Sequence, residues 1–235
     1  RGGRARAIGG SDGAGDGHRL LQRAVDRQRV LVVVAVQQDL RAFQLDVDAA
    51  RRTRSIIMFM GPLLHKFKKF ELPYAGGCSL GTRTVDPHLR ALSSYGLQID
   101  AKVKTGFYEA TVDQKELTSK KAKRIVLIEH GDTVTENVLM AAALYPGKTT
   151  IIGASPNYMV QDVCFYLQRL GIEIEGIGTT NLVVHGVSRI AKEISYEPSE
   201  DPIEAMSFIA AGIVTKSEIE IKRVPIEFLE VELEV

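Results

Sequence analysis

Gly76-Gly77-Cys78-Ser79-Leu80-Gly81-Thr82-Arg83-Thr84-Val85-Asp86-Pro87-His88 is the stretch on which the fold and the chemistry of this chain turn. The two glycines ahead of the thiol let the backbone take loop conformations closed to other residues. An arginine follows five positions after the cysteine. Asp86 and Pro87 then spell a helix start, because Asp is a favoured N-cap and the fixed φ of proline suits the first helical position. Guanidinium and helix N-terminus both favour an anion, and both lower the pKa of a nearby thiol. Their nearness in sequence suits chemistry on a phosphorylated substrate.

Outward from this stretch the chain repeats itself. Residues 86–95 make a short helix closed by Gly96, where a positive φ costs glycine nothing. Residues 97–103 alternate apolar and polar as a half-buried strand does, Lys104-Thr105-Gly106 turns, and 107–112 returns. A second copy opens at Ser155-Pro156, with Val160, Val163, Cys164, Leu167 and Leu170 at helical spacing and Gly171 as the stop. Strands at 172–177 and 182–187 follow it. Between the copies lie a helix at 133–144 and a strand at 149–153. A third unit begins at Asp201-Pro202, with a helix from 203 to about 211 and a strand at 217–224, and 225–235 starts another helix. Units of helix plus hairpin bury their apolar faces only by stacking on their siblings. The expected class is therefore α/β, built from α+β repeats.

The composition is that of an ordinary soluble protein, with 45% hydrophobic and 25% charged residues over 235 positions. A net charge of +1 offers no concentrated basic face, so neither nucleic acid nor a membrane surface is an expected partner. The runs Lys66, Lys68, Lys69 and Lys120, Lys121, Lys123, Arg124 read as solvated faces. Cys78 and Cys164 are too few for a disulfide framework and fit a reducing cytoplasm. No targeting segment is visible, and the apolar run at 30–36 falls far short of the roughly 20 residues a membrane helix needs. The expectation is a cytoplasmic protein.

Composition breaks near residue 54. The first 54 residues hold eleven arginines and no lysine, whereas the remainder holds thirteen lysines and six arginines. Ile8 is the only isoleucine before Ile56. Residues 1–54 thus read as an atypical Arg/Gly-rich segment, foreign to the rest or disordered.

Arg54-Ser55-Ile56, Gly61-Pro62-Leu63, Leu72-Pro73, Gly76-Gly77-Cys78, Gly81, Arg83 and Val85-Asp86-Pro87-His88, in that order, resemble the enolpyruvyl transferases. The resemblance runs from about residue 54 to about 214. It is closest to the branch that acts on UDP-N-acetylglucosamine, since the shikimate-pathway synthases lack this cysteine loop. It implies an inside-out α/β barrel of two domains, each made of three repeats with helices inside and sheets outside. On that template 55–190 is a partial first domain, 189–201 a linker and 200–235 the start of the second domain.

The reaction so implied moves the enolpyruvyl group of phosphoenolpyruvate to the 3-hydroxyl of UDP-N-acetylglucosamine, the first committed step of peptidoglycan synthesis, with no cofactor and no metal. Cys78 matches the loop cysteine that forms an adduct with phosphoenolpyruvate and is alkylated by fosfomycin. Arg54 and Arg83 match arginines that hold phosphoenolpyruvate and nucleotide phosphates, a task their bidentate forks suit. Thr84, Val85, Asp86 and Pro87 match the segment around the uracil, with Asp86 also a helix cap, and His88 matches a packing histidine. Asp132 and Thr133 fall where the family contacts the UDP phosphates. The loop 72–78 is two residues longer than the common form, and the N-terminal lysine and the second-domain aspartate and arginines of the family have no counterpart. The chain alone is therefore expected to be inactive for want of its second domain. A nucleotide-sugar-binding module, a different carboxyvinyl transferase such as the shikimate-pathway synthase, and a thiol sensor are the competing readings.

Overall fold

The computed structural model describes residues 47–76, 84–102 and 104–234. The expectations for residues 1–46 lie outside these. Two short helices and a turn come first: α1 (Val47–Arg51), a 3-10 turn (Arg54–Phe59) and α2 (Met60–Leu63). Strand β1 (Lys69–Pro73) follows, then α3 (Asp86–Ser93) and the hairpin β2 (Leu97–Lys102) and β3 (Phe107–Val112). These strands form an antiparallel sheet in the order β1-β3-β2, with Leu72 opposite Tyr108 and Ile99 opposite Ala110.

A short α4 (Gln114–Leu117) leads into a second sheet. Its strands are β4 (Lys123–Val126), β5 (Lys148–Ile152), β6 (Glu173–Glu175) and β7 (Asn181–His185). The order is β4-β5-β7-β6, with β4 and β5 parallel and the other pairs antiparallel. Helix α5 (Asp132–Ala143) crosses between the parallel strands, and α6 (Tyr158–Arg169) precedes the β6–β7 hairpin. The chain is mixed α/β with two sheets, and no barrel closes among the described residues.

The repeat is real. Gly96 and Gly171 end the helices of the two units at φ 85° and 96°, a conformation that strains any residue with a Cβ. Both helices lead into antiparallel hairpins, as the alternation requires. Helix α5 forms the centre of the core, with Val138, Leu139, Ala141 and Ala142 fully buried. Tyr95 joins the two sheets: its hydroxyl lies 3.0 Å from Thr149 Oγ1 on β5, and its ring meets Tyr145 edge-on at 5.4 Å. Both hydroxyl-bearing residues are fully buried. Tyr95→Phe should cost about 1–3 kcal/mol by stranding the Thr149 hydroxyl. Chemical denaturation checks this, with Tyr145→Phe as the comparison.

The third unit departs from expectation. Helix α7 (Pro202–Thr215) starts as anticipated, with the Asp201 carboxylate accepting from the backbone N–H groups of Ile203 and Glu204. It runs past Gly212, however, and ends at Lys216 in the left-handed region. Gly212 sits inside the helix, with Ile219 folded back 2.9 Å from where a Cβ would stand. The strand expected at 217–224 does not form. Alternation alone leaves backbone groups unpaired, and no described strand lies there to complete a ladder. Residues 225–234 hold only a 3-10 turn (Ile226–Phe228) and α8 (Glu230–Leu233). Segment 196–201 is pinned to α6: Asp162 accepts from the Tyr196 hydroxyl and from the backbone and side chain of Ser199, and the Tyr158 hydroxyl donates to Asp201. No described helix is long and apolar enough to cross a membrane.

Candidate functional site

The site is built where the first turn of the domain meets the start of α3. Ile56 and Ile57 are buried, which anchors the 3-10 turn and leaves its first residue, Arg54, at the rim. The Arg54 guanidinium reaches across thirty positions of sequence to donate to the Thr84 carbonyl at 3.0 Å. Arg54, expected to hold phosphate, is thus joined to Thr84, expected in the segment around the uracil. Gly76, at the head of the cysteine loop, lies against the Arg51 carbonyl so closely that a Cβ would overlap it. Only glycine fits there.

Residues 84–88 alternate outward and inward: Thr84 and Asp86 are exposed, whereas Val85, Pro87 and His88 are buried. Asp86 does not cap α3, contrary to expectation. Val85 is the N-cap residue and makes no side-chain cap, while the Thr84 hydroxyl accepts the Asp86 N–H at 3.0 Å. Asp86 stands in the first turn of the helix, where a carboxylate still complements the dipole. Tyr108, on β3, belongs to the same rim. Burial and the neighbouring Tyr74 push its hydroxyl pKa up, Arg54 pulls it down, and Asp86 adds a smaller upward push. The rings of Tyr74 and Tyr108 are 4.5 Å apart.

His88 is buried beneath this rim. Burial first, and the Arg54 charge second, hold its imidazole down at about 4, so it is neutral at physiological pH. Asn137 of α5, fully buried, lies 3.1 Å from His88 Nδ1. The same amide accepts from the Gly61 N–H at 2.7 Å and donates to the Ile57 carbonyl at 3.0 Å. Sequence reading passed over Asn137. The signal was a polar Glu136-Asn137 pair running straight into the apolar stretch 138–143, where a buried Asn must have its bonds made.

Asp132 opens α5, five residues and about 7.5 Å of helix rise from Asn137. Its carboxylate accepts from Ser155 Oγ at 2.5 Å and from Asn157 Nδ2 at 3.1 Å, tying the start of α5 to the start of α6. Thr133 is exposed beside it. One turn on, Glu136 is 6% exposed, and burial, then Asp132, then Asp162 raise its carboxyl to about 7.

Cys78 and Arg83 lie outside the described residues. Cys164 is the core residue that its helical spacing implied, with a thiol pushed up to about 12 by burial. The histidines looked scattered in sequence, yet strand pairing brings His185 opposite Glu173 and beside Glu175, with donor atoms within 4.8 Å of one another. That trio is exposed, and His185 pairs with Glu175 at 3.0 Å as an ordinary sheet-surface contact.

The sequence profile of EPSP synthase (3-phosphoshikimate 1-carboxyvinyltransferase) matches residues 17–234. A UDP-N-acetylglucosamine 1-carboxyvinyltransferase of Campylobacter hominis is 37% identical over 184 residues, covering 78% of this chain and 42% of the relative. The protein of the same name from Wolinella succinogenes is 39% identical over 183 residues, covering 77% of this chain and 42% of its own. Among solved structures, the enolpyruvyl transferase NikO from Streptomyces tendae superposes with a TM-score of 0.59 at 18% identity, over 73% of this chain and 39% of that one. This chain thus spans about two fifths of the length of the curated relatives it matches.

Proposed function

The chain belongs to the EPSP synthase (3-phosphoshikimate 1-carboxyvinyltransferase) family of enolpyruvyl transferases, and from this we propose that the protein it represents transfers the enolpyruvyl group of phosphoenolpyruvate to the 3-hydroxyl of UDP-N-acetylglucosamine. The observation that supports the reading is the bond from Arg54 to the Thr84 carbonyl, which joins two of the residues proposed to bind substrate. The relatives at 37–39% identity favour this acceptor over the shikimate-pathway one.

The reaction needs the methylene carbon of phosphoenolpyruvate protonated and the sugar hydroxyl, giving up its proton to a base, added to the central carbon; phosphate then leaves as a proton is withdrawn from the new methyl group, which restores the double bond. Arg54 and Arg83 hold the phosphate and carboxylate while that charge redistributes, since preorganised guanidinium groups need no reorganisation during the step. Cys78, in a cationic loop, is suited to proton transfer or to a covalent adduct. Thr84, Val85, Asp86 and Pro87 frame the nucleobase, and Asp132 and Thr133 lie on the diphosphate side. Such a reaction belongs to peptidoglycan synthesis in the cytoplasm, and fosfomycin would alkylate Cys78.

Residues 55–190 supply a partial first domain and 200–235 the start of a second. Helix α7 supports this division. Ile203, Phe208, Ile213 and Val214 are 53–81% exposed on a helix apolar on every side, a pattern made for burial against further structure. The catalytic cleft of a two-lobed enzyme needs both lobes, so the 235-residue chain is inactive alone and acts at most as a nucleotide-sugar-binding half. A coupled phosphate-release assay with phosphoenolpyruvate and UDP-N-acetylglucosamine should show no turnover from it. Turnover by this chain alone refutes that division. Calorimetry with UDP-N-acetylglucosamine tests the acceptor, because heat from shikimate 3-phosphate in its place would overturn it.

A further inference from the structure

We propose that Asn137 is a positioning residue of this site, fixing His88 as the neutral imidazole with its proton on Nε2 and tying the turn that carries Arg54 to α5. A primary amide has two donor hydrogens on nitrogen and an oxygen that only accepts. The Gly61 backbone N–H can only donate, so the atom 2.7 Å from it is the amide oxygen. The Ile57 carbonyl can only accept, so the atom 3.0 Å from it is the amide nitrogen. Two one-way backbone partners on opposite sides therefore fix the orientation of the Asn137 amide. Flipping it would set oxygen against oxygen and N–H against N–H.

One amide hydrogen then remains, and it points to His88 Nδ1 at 3.1 Å. A protonated Nδ1 would meet it hydrogen to hydrogen, so Nδ1 must offer its lone pair and the ring proton must sit on Nε2. The surroundings agree, since His88 is buried and the Arg54 charge opposes an imidazolium. A single side chain on α5 thereby specifies the hydrogen-bonding character of the ring under the uracil segment. It also holds the backbone at Ile57, three residues from Arg54. The relevance to enolpyruvyl transfer rests on the functional reading above, whereas the tautomer does not.

Long-range 1H–15N correlation spectra of the 235-residue chain at pH 7 test this directly. The expected result is a His88 ring with Nε2 protonated and Nδ1 bare. Asn137→Asp keeps the acceptor for Gly61 but presents a carboxylate oxygen to His88, so Nδ1 should become protonated, a change that loss of packing alone would not produce. A wild-type His88 protonated on Nδ1 overturns the proposal even if the variant fails to fold, and so does an unchanged pattern in folded Asn137→Asp. If the tautomer is found but shikimate 3-phosphate binds in place of UDP-N-acetylglucosamine, the functional reading falls and this one stands.

Discussion

Gly61→Ala should destabilise the chain by about 3–5 kcal/mol, a large share of the 5–15 kcal/mol that holds a domain together. Gly61 is buried in α2, directly against α5. A Cβ there would overlap the Asn137 carbonyl oxygen and come 2.7 Å from Asn137 Oδ1 and 3.3 Å from the Ala141 nitrogen. Two of these three atoms are helix backbone, so no rotamer change relieves the clash and α2 must back away. Overpacking of this kind costs about 1–3 kcal/mol. Retreat also breaks the Gly61 N–H bond to Asn137 and strains the Asn137 bond to Ile57 and the His65 Nε2 bond to the Ala141 carbonyl. Each buried partner left unmet adds about 1–3 kcal/mol. Urea unfolding measures the loss. A variant within 1 kcal/mol of the parent would mean that α2 and α5 do not approach this closely.

Glu136→Gln should stabilise the chain at pH 8, by about 2–3 kcal/mol, and leave it nearly unchanged near pH 4. In the folded protein this carboxyl titrates at about 7, against 4.5 for the free group. Between those values the native state binds the proton more tightly than the unfolded chain, so stability falls as pH rises through the window. At about 1.36 kcal/mol per pH unit the full span is a little over 3 kcal/mol, most of which the glutamine recovers. Above pH 7 the native state must bury a carboxylate facing Asp132 and Asp162. Glutamine keeps the shape of the protonated acid and removes that charge. His65 and His88 act in the opposite sense, because burial lowers both to about 4. Their contribution is present above pH 6.5 and is lost as pH falls towards 4. These three groups together place the stability maximum near pH 6.5. Thermal melts of parent and variant from pH 4 to 8 read both effects, and parallel pH profiles would show that Glu136 titrates normally.

Much of this was legible from residue order. The helix ends at Gly96 and Gly171, the hairpins after them, the Asp201 cap and the core thiol at Cys164 all follow from local rules of turn chemistry and periodicity. The order of the motif residues from Arg54 to His88 carried the family, whereas the Arg54–Thr84 bond, between residues thirty positions apart, was not foreseen. Where the expectations failed, the nearby residues had overruled a simpler local signal. Asp86 looked like a cap, yet Val85 holds the N-cap position and Asp86 stands inside the first turn. Gly212 looked like a stop, yet it sits inside the helix with Ile219 folded back on it. Residues 217–224 alternate like a strand, and a strand without a neighbour has nowhere to put its backbone hydrogen bonds.

Sequence by itself determined the family and the repeating helix-and-hairpin unit, because these depend on residue types at short, fixed spacings. Only the tertiary structure decided that Asn137 joins Ile57, Gly61 and His88, that Glu136 is buried facing Asp132 and Asp162, and that Tyr95 ties one sheet to the other. Each of those depends on groups forty-nine or more positions apart, or on the dielectric around a charge. Neither is written in any one segment: both arise only when packing brings distant segments together and excludes water from between them.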